Sequence, residues 1–179
     1  MKVSTESSIK LTAKLLQSFK SLIDAEEDES AYQRFLQENP VILEPLAAEI
    51  IPQARLGLEY ITDFVLRLHD NRYIVVEIER PQDRIFTSQG DLTARFNHAV
   101  GQVLDFQHWV AENSAYAQKN MPGIVSPHGL LVMGLRKNLT EREASKLRRW
   151  QQNSRDIEHL TYDDLLVRSS TLLKSLRNH

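Results

Sequence analysis

Two rhythms of apolar and polar residues alternate along the chain. Leu11, Leu15, Phe19, Leu22 and Ile23 recur at helical spacing and predict a helix over 9–23. An acidic break, Ala25 to Ser30, precedes a second helix, roughly Ser30 to Glu38, which Pro40 stops. VILEPLAAEI reads as a short helix with Pro45 in its first turn or at a kink. ARLGLEY reads as a strand, and ITDFVLRL and RYIVVEIE as two more around the turn His69-Asp70-Asn71. Leu92, Phe96, Ala99, Val103, Phe106 and Val110 form one stripe of a long helix, Asp91 to Ala111. The polar stretch Asn113 to His128, with Pro122, Gly123 and Pro127, reads as a loop. GLLVMGL is a short buried strand, and Thr140 with Glu143 makes a capping box for the next helix. RDIEHL predicts a last strand, and Thr161 with Asp164 caps a final helix ending near Leu176. The order predicts a mixed αβ fold: one central mixed sheet flanked by helices, with N-terminal helices.

Register decides where the polar side chains of the central hairpin point. Phe64, Leu66 and Leu68 on one strand and Ile74, Val76 and Ile78 on the other share a face only if even positions pair with even. A three-residue loop, with Asn71 in the left-handed conformation, gives that register. Phe64 then faces Val76, and Leu66 faces Ile74. On the odd face Asp63 comes opposite Glu77, with Cβ atoms about 5 Å apart, and Glu79 follows one step along. Directly opposed like charges are unfavourable, so folding alone does not select this arrangement. A hard divalent cation would relieve it. The structural alternative is a solvent-exposed strand face, with Arg67 and Arg80 near enough in sequence to pair with the acids. Strand alternation predicts that Arg80 faces away from them.

Composition narrows the chemistry. The chain has 179 residues, enough for one domain. It contains no cysteine, which excludes thiolate metal sites and cysteine nucleophiles and fits a cytoplasmic protein. No apolar run approaches the about 18–20 residues that span a bilayer, and the N-terminus lacks signal-peptide features, so no membrane partner is expected. No Gly-rich phosphate loop is present, so no nucleotide cofactor is expected. A net charge of −2 leaves any nucleic-acid contact to a local basic patch, the best being Lys146 to Trp150. The six histidines form no helical i, i+4 metal-ligand pair.

Asp63 followed by Glu77-Ile78-Glu79 on the next strand resembles the PD-(D/E)XK nuclease superfamily. The ordered stretches FLQENPVIL, EYITDFVL, IVVEIERP, HAVGQVLDFQHWV, GLLVMGLR and IEHLTYDDLL resemble its Shedu-type anti-phage nuclease domain. The resemblance implies a restriction-endonuclease-like domain over 28–179, preceded by an N-terminal helix in 1–27. It implies a metal-dependent DNA endonuclease in anti-phage defence, with DNA as partner and a homo-oligomeric assembly. Asp63, Glu77 and Glu79 would be the metal and catalytic cluster for Mg²⁺ or Mn²⁺, and Gln102 its helix-borne catalytic partner. The departure is Glu79, which stands where the family carries Lys. It leaves open a second expectation, a catalytically weakened DNA-binding or assembly module on the same fold. Glu29 and Glu38 are both candidates for a further acid from an early helix. Arg95 and His98 share the flank of Gln102 and could contact DNA.

Overall fold

A computed structural model describes residues 11–56 and 60–177. Helix α1 (Ala13–Asp24) is capped by the Thr12 hydroxyl, which accepts from the Leu15 amide. Residues 9 and 10 of the predicted helix lie outside the described residues. Helix α2 (Glu29–Glu38) follows. Two strands, β1 (Ala47–Pro52) and β2 (Arg55–Leu56), come next, then β3 (Tyr60–Ile61), β4 (Phe64–Leu68) and β5 (Tyr73–Ile78). Helices α3 (Ala94–Glu112) and α4 (Ser114–Asn120) lead to β6 (His128–Val132), α5 (Glu141–Asn153), β7 (Ile157–Leu160) and α6 (Tyr162–Arg177).

The main sheet has the order β1-β4-β5-β6-β7. Its first three strands are antiparallel and its last three parallel. The central hairpin has the expected register, Phe64 opposite Val76 and Leu66 opposite Ile74. Asn71 closes the turn at φ +63°. Both faces of the sheet are covered. Phe64, Leu66, Val76, Ile78, Leu130 and Val132 pack with Phe19, Tyr32, Leu36 and Tyr162 from α1, α2 and α6. Helix α1, expected to precede the domain, therefore shares its core. On the other face Val65, Val75 and Leu131 meet Val103, Phe106, Phe96 and Leu147 from α3 and α5. The odd face of β5 is thus buried rather than solvent-exposed, because α3 returns across it to reach β6.

Three local expectations fail. VILEPLAAEI is not a helix: only Pro40–Ile42 forms a 3-10 turn, and Ala47–Pro52 is strand β1. The Ala- and Glu-rich composition favours a helix locally, but the open edge of β4 offers a ladder, and Glu49 pairs across it with Arg67 at 3.0 Å. Asn113 to His128 is not all loop, since Ser114–Asn120 is helical. Ala117 is its buried residue, and Tyr116 stacks edge-on against Trp109, too little apolar periodicity to register in the sequence. ARLGLEY is split between β2 and β3, which form a small antiparallel ribbon, and residues 57–59 lie outside the described residues.

Helix α3 packs closely against the sheet at Gly129. A Cβ there would lie 2.4 Å from Cγ1 of Val103, 3.1 Å from Cγ1 of Ile157 and 3.3 Å from the Asp156 carbonyl oxygen. Both β-branched side chains are stiff at χ1 and the Asp156 oxygen is backbone, so none yields cheaply. Gly129→Ala is expected to cost about 1–3 kcal/mol in urea unfolding. A midpoint equal to wild type would show that α3 rides freely over the sheet.

Candidate active site

The site begins with an interruption in a strand. The predicted strand ITDFVLRL breaks at Thr62 and Asp63, before β4 starts at Phe64. Thr62 is buried, and its hydroxyl donates to the Val76 carbonyl at 3.0 Å. Asp63 turns its carboxylate onto β5, where Oδ2 accepts the Ile78 amide at 2.8 Å. An amide that would otherwise continue the ladder thus holds a side chain instead. The second oxygen, Oδ1, accepts from Nε2 of Gln33 on α2 at 2.7 Å.

Glu77 projects into the same space. Its side chain is 5% exposed and lies within hydrogen-bonding reach of Asp63. Burial, then the neighbouring Asp63 charge, push the Glu77 carboxyl up. Burial also raises Asp63, against the lowering effect of the Ile78 amide. The two acids therefore meet opposite each other in a desolvated corner, as the register predicts.

Glu79 lies one step on and is buried as well. Its Oε2 accepts from Nη1 of Arg95 at 2.9 Å. Burial pushes its pKa up to about 7 although Arg95 acts the other way. The same Nη1 donates to Asp83 at 2.8 Å, and Asp83 also accepts from Nε and Nη2 of Arg80. Arg80 is not sent to the opposite face: β5 ends at Ile78, so alternation no longer governs it, and its charge acts on Glu29. Arg67, the other expected partner, pairs with Glu49 instead.

Of the two early-helix candidates, Glu29 joins the cluster. Gln33 Nε2 bridges its Oε1 at 3.4 Å to Asp63, and burial followed by the Asp63 charge raises its carboxyl. Glu38 is exposed at the far end of α2. Gln102 is half-buried on α3, two turns beyond Arg95 on the same flank, and makes no side-chain hydrogen bond to the acids among the described residues. His98 is exposed on that flank. The basic cluster Lys146 to Trp150 is on α5, where Lys146 donates to the Gly90 carbonyl and Trp150 packs on Phe96.

Gln33 and Asp83 were not anticipated. Neither carries a sequence signal: Gln33 sits in an ordinary amphipathic helix, and Asp83 in the turn after β5. Tyr162 also escaped notice. Its buried hydroxyl donates to the Glu79 carbonyl at 2.8 Å and pins the end of β5.

The charge inventory is uneven. Glu29, Asp63, Glu77, Glu79 and Asp83 interact with one another, and Arg80 and Arg95 are the guanidiniums that act on them. Among the described residues no three His, Asp or Glu side chains stand close enough together to ligate one metal ion. The Asp63–Glu77 pair nonetheless has the donor chemistry for Mg²⁺ or Mn²⁺. Mg²⁺ sites commonly draw one or two carboxylates from protein and the rest of their shell from water and substrate phosphate.

No curated protein sequence matches the chain. Several solved structures are similar to it, among them these two. A complex of EndoMS with double-stranded DNA is 17% identical, over 75% of this chain and 44% of that one, with a TM-score of 0.42. A repair endonuclease from Pyrococcus abyssi is 20% identical, over 76% and 47%, with a TM-score of 0.44. The chain spans less than half the length of either. No described helix is long and apolar enough to cross a membrane. A family model, that of the C-terminal part of the Shedu protein SduA, matches residues 26–166, from the end of the α1–α2 connection into α6. That span includes every strand of the sheet and every acid of the cluster, and the chain, with its mixed sheet flanked by helices, belongs to this family.

Proposed function

We propose that the chain is a divalent-cation-dependent DNA endonuclease of anti-phage defence, cutting or nicking through the site at Asp63 and Glu77. The observation that supports this most is the placement of those two carboxyls. Glu77 is buried on β5 and Asp63 is half-buried at the break before β4, adjacent in a desolvated corner where both carboxyls are raised in pKa. The Ile78 amide and Gln33 account for Asp63 but not for a second carboxyl at Glu77 beside it, which a cation site would use. Family membership agrees with the reading.

In this reading Asp63 and Glu77 hold Mg²⁺ or Mn²⁺. When bound, the cation supplies charge stabilisation for the phosphodiester under attack and a more acidic water. The protein's own groups set the frame. The Ile78 amide and Gln33 orient Asp63, each through one carboxylate oxygen. Thr62 ties the strand break to β5. Glu79 stands at the rim, engaged by Arg95. Gln102 lies two turns from Arg95 on the same helix flank, from which it would reach toward bound DNA.

Purified protein and supercoiled plasmid test the proposal. Mg²⁺ or Mn²⁺ should produce nicked or linear product, and EDTA should stop it. Binding of the plasmid with no nicking in Mg²⁺, Mn²⁺ or Co²⁺ would instead establish the non-catalytic DNA-binding module.

A further inference from the structure

We infer that Arg95 is the phosphate-gripping residue of this site, delivered from helix α3 and held in place by Glu79 and Asp83. The inference rests on the nuclease reading above, and deepens it by naming the group that receives the substrate anion.

Three observations carry it. The first is position. Arg95 bridges Glu79 at 2.9 Å and Asp83 at 2.8 Å with one nitrogen, Nη1, and its charge acts together with that of Asp63 on both Glu79 and Glu29. The second is spare donor capacity. Nε and Nη2 of Arg95 make no hydrogen bond among the described residues, and the side chain is 47% exposed while its two partners are 12% and 11% exposed. One edge of the guanidinium is thus fixed to the protein and the other is presented outward, the geometry that suits a planar fork for phosphate oxygens. The third is the contrast with Arg80. That side chain spends Nε and Nη2 on the single carboxylate of Asp83, so its fork is occupied. Arg95 also sits at the second position of α3, where the helix dipole adds to its charge.

The physical need is evident from the charges. A polyanionic backbone brought to a corner holding Asp63, Glu77 and Glu79 meets repulsion, and a bound cation at Asp63 and Glu77 offsets only part of it. A half-exposed guanidinium that is already oriented adds attraction without the entropy of ordering a free side chain. Glu79 then acts through Arg95 as a positioning residue.

The test combines cleavage with metal-free binding. Arg95→Gln is expected to slow plasmid nicking about 100-fold or more, the loss typical of a transition-state donor. In EDTA the same variant should bind duplex DNA with a salt slope shallower by about one, as expected when one phosphate contact is lost. Arg95→Lys should keep that slope and lose part of the rate, since it retains the charge but not the fork. Nicking by Arg95→Gln within about threefold of wild type would overturn the assignment. So would a slow variant with an unchanged salt slope, the pattern of a structural ion pair. A wild-type protein that binds DNA but never nicks it removes the nuclease reading, and the salt slope still decides the role of Arg95.

Discussion

Glu77→Gln is expected to lose DNA cleavage by about 10²–10³-fold or more while making the protein more stable. The two effects share one cause. Glu77 is buried against Asp63, and both carboxyls are pushed up by desolvation. A carboxyl whose folded pKa lies above its unfolded value favours the fold below the unfolded pKa, and that contribution disappears as pH rises through the folded one. At pH 8 without divalent cation the wild type therefore carries an electrostatic cost that the isosteric amide lacks. The variant should be more stable by about 1–2 kcal/mol there. The gap should close toward pH 4.5, as Glu77 takes up its proton. Thermal melts at the two pH values, with and without Mn²⁺, measure this directly. Mn²⁺ should raise the wild-type melting temperature, by mass action on the folded state, and leave that of Glu77→Gln nearly unmoved. A variant less stable than wild type at pH 8, or one that cuts at the wild-type rate, would remove Glu77 from the site.

His159 is expected to make the fold acid-sensitive by roughly 3 kcal/mol between pH 6.5 and 4. The ring is wholly buried beneath α3, edge-on to Phe96 with centroids 5.4 Å apart. Nε2–H donates to the Met133 carbonyl at 3.1 Å, while Nδ1 has no partner among the described residues. Burial lowers its pKa to about 4. In this window the unfolded chain takes up a proton that the folded chain refuses, so stability falls as pH falls. The raised acids at the site act in the opposite sense over overlapping pH, so the total profile mixes the two. A His159→Gln variant separates them. Urea unfolding of both proteins at pH 7.5 and pH 4 should show the wild-type advantage shrinking by that amount. A difference that stays flat with pH would mean that the histidine is not the acid-sensitive group.

Much of the cluster is legible in the chain because hairpin register is a matter of counting. Apolar residues at 64, 66, 74, 76 and 78 demand one face, a three-residue turn satisfies them, and Asp63 and Glu77 are left opposite each other. What escapes counting is everything that arrives from another element. Gln33 comes from a helix thirty residues upstream, Asp83 from a turn and Tyr162 from the last helix. Each contact depends on how layers stack, and no periodicity records that. The choice of Glu29 over Glu38 is of the same kind: both are acids on one helix, and only its docking beside Asp63 separates them.

Local propensity misled where a tertiary partner outbid it. Ala47–Pro52 carries helix-forming residues yet extends, because β4 has an unpaired edge and a helix would leave that edge bare. Arg80 follows alternation only on paper, since the strand stops two residues earlier and the chain turns to meet Asp83. The linear sequence, by itself, determined the rhythm of helices and strands, the hairpin register and the opposition of two carboxyls, because these depend on spacing along the backbone. The tertiary structure alone decided that both sheet faces are covered, that Glu79 is engaged by Arg95, and that the Arg95 guanidinium stays half-exposed. Those depend on desolvation and on distances between elements far apart in the chain.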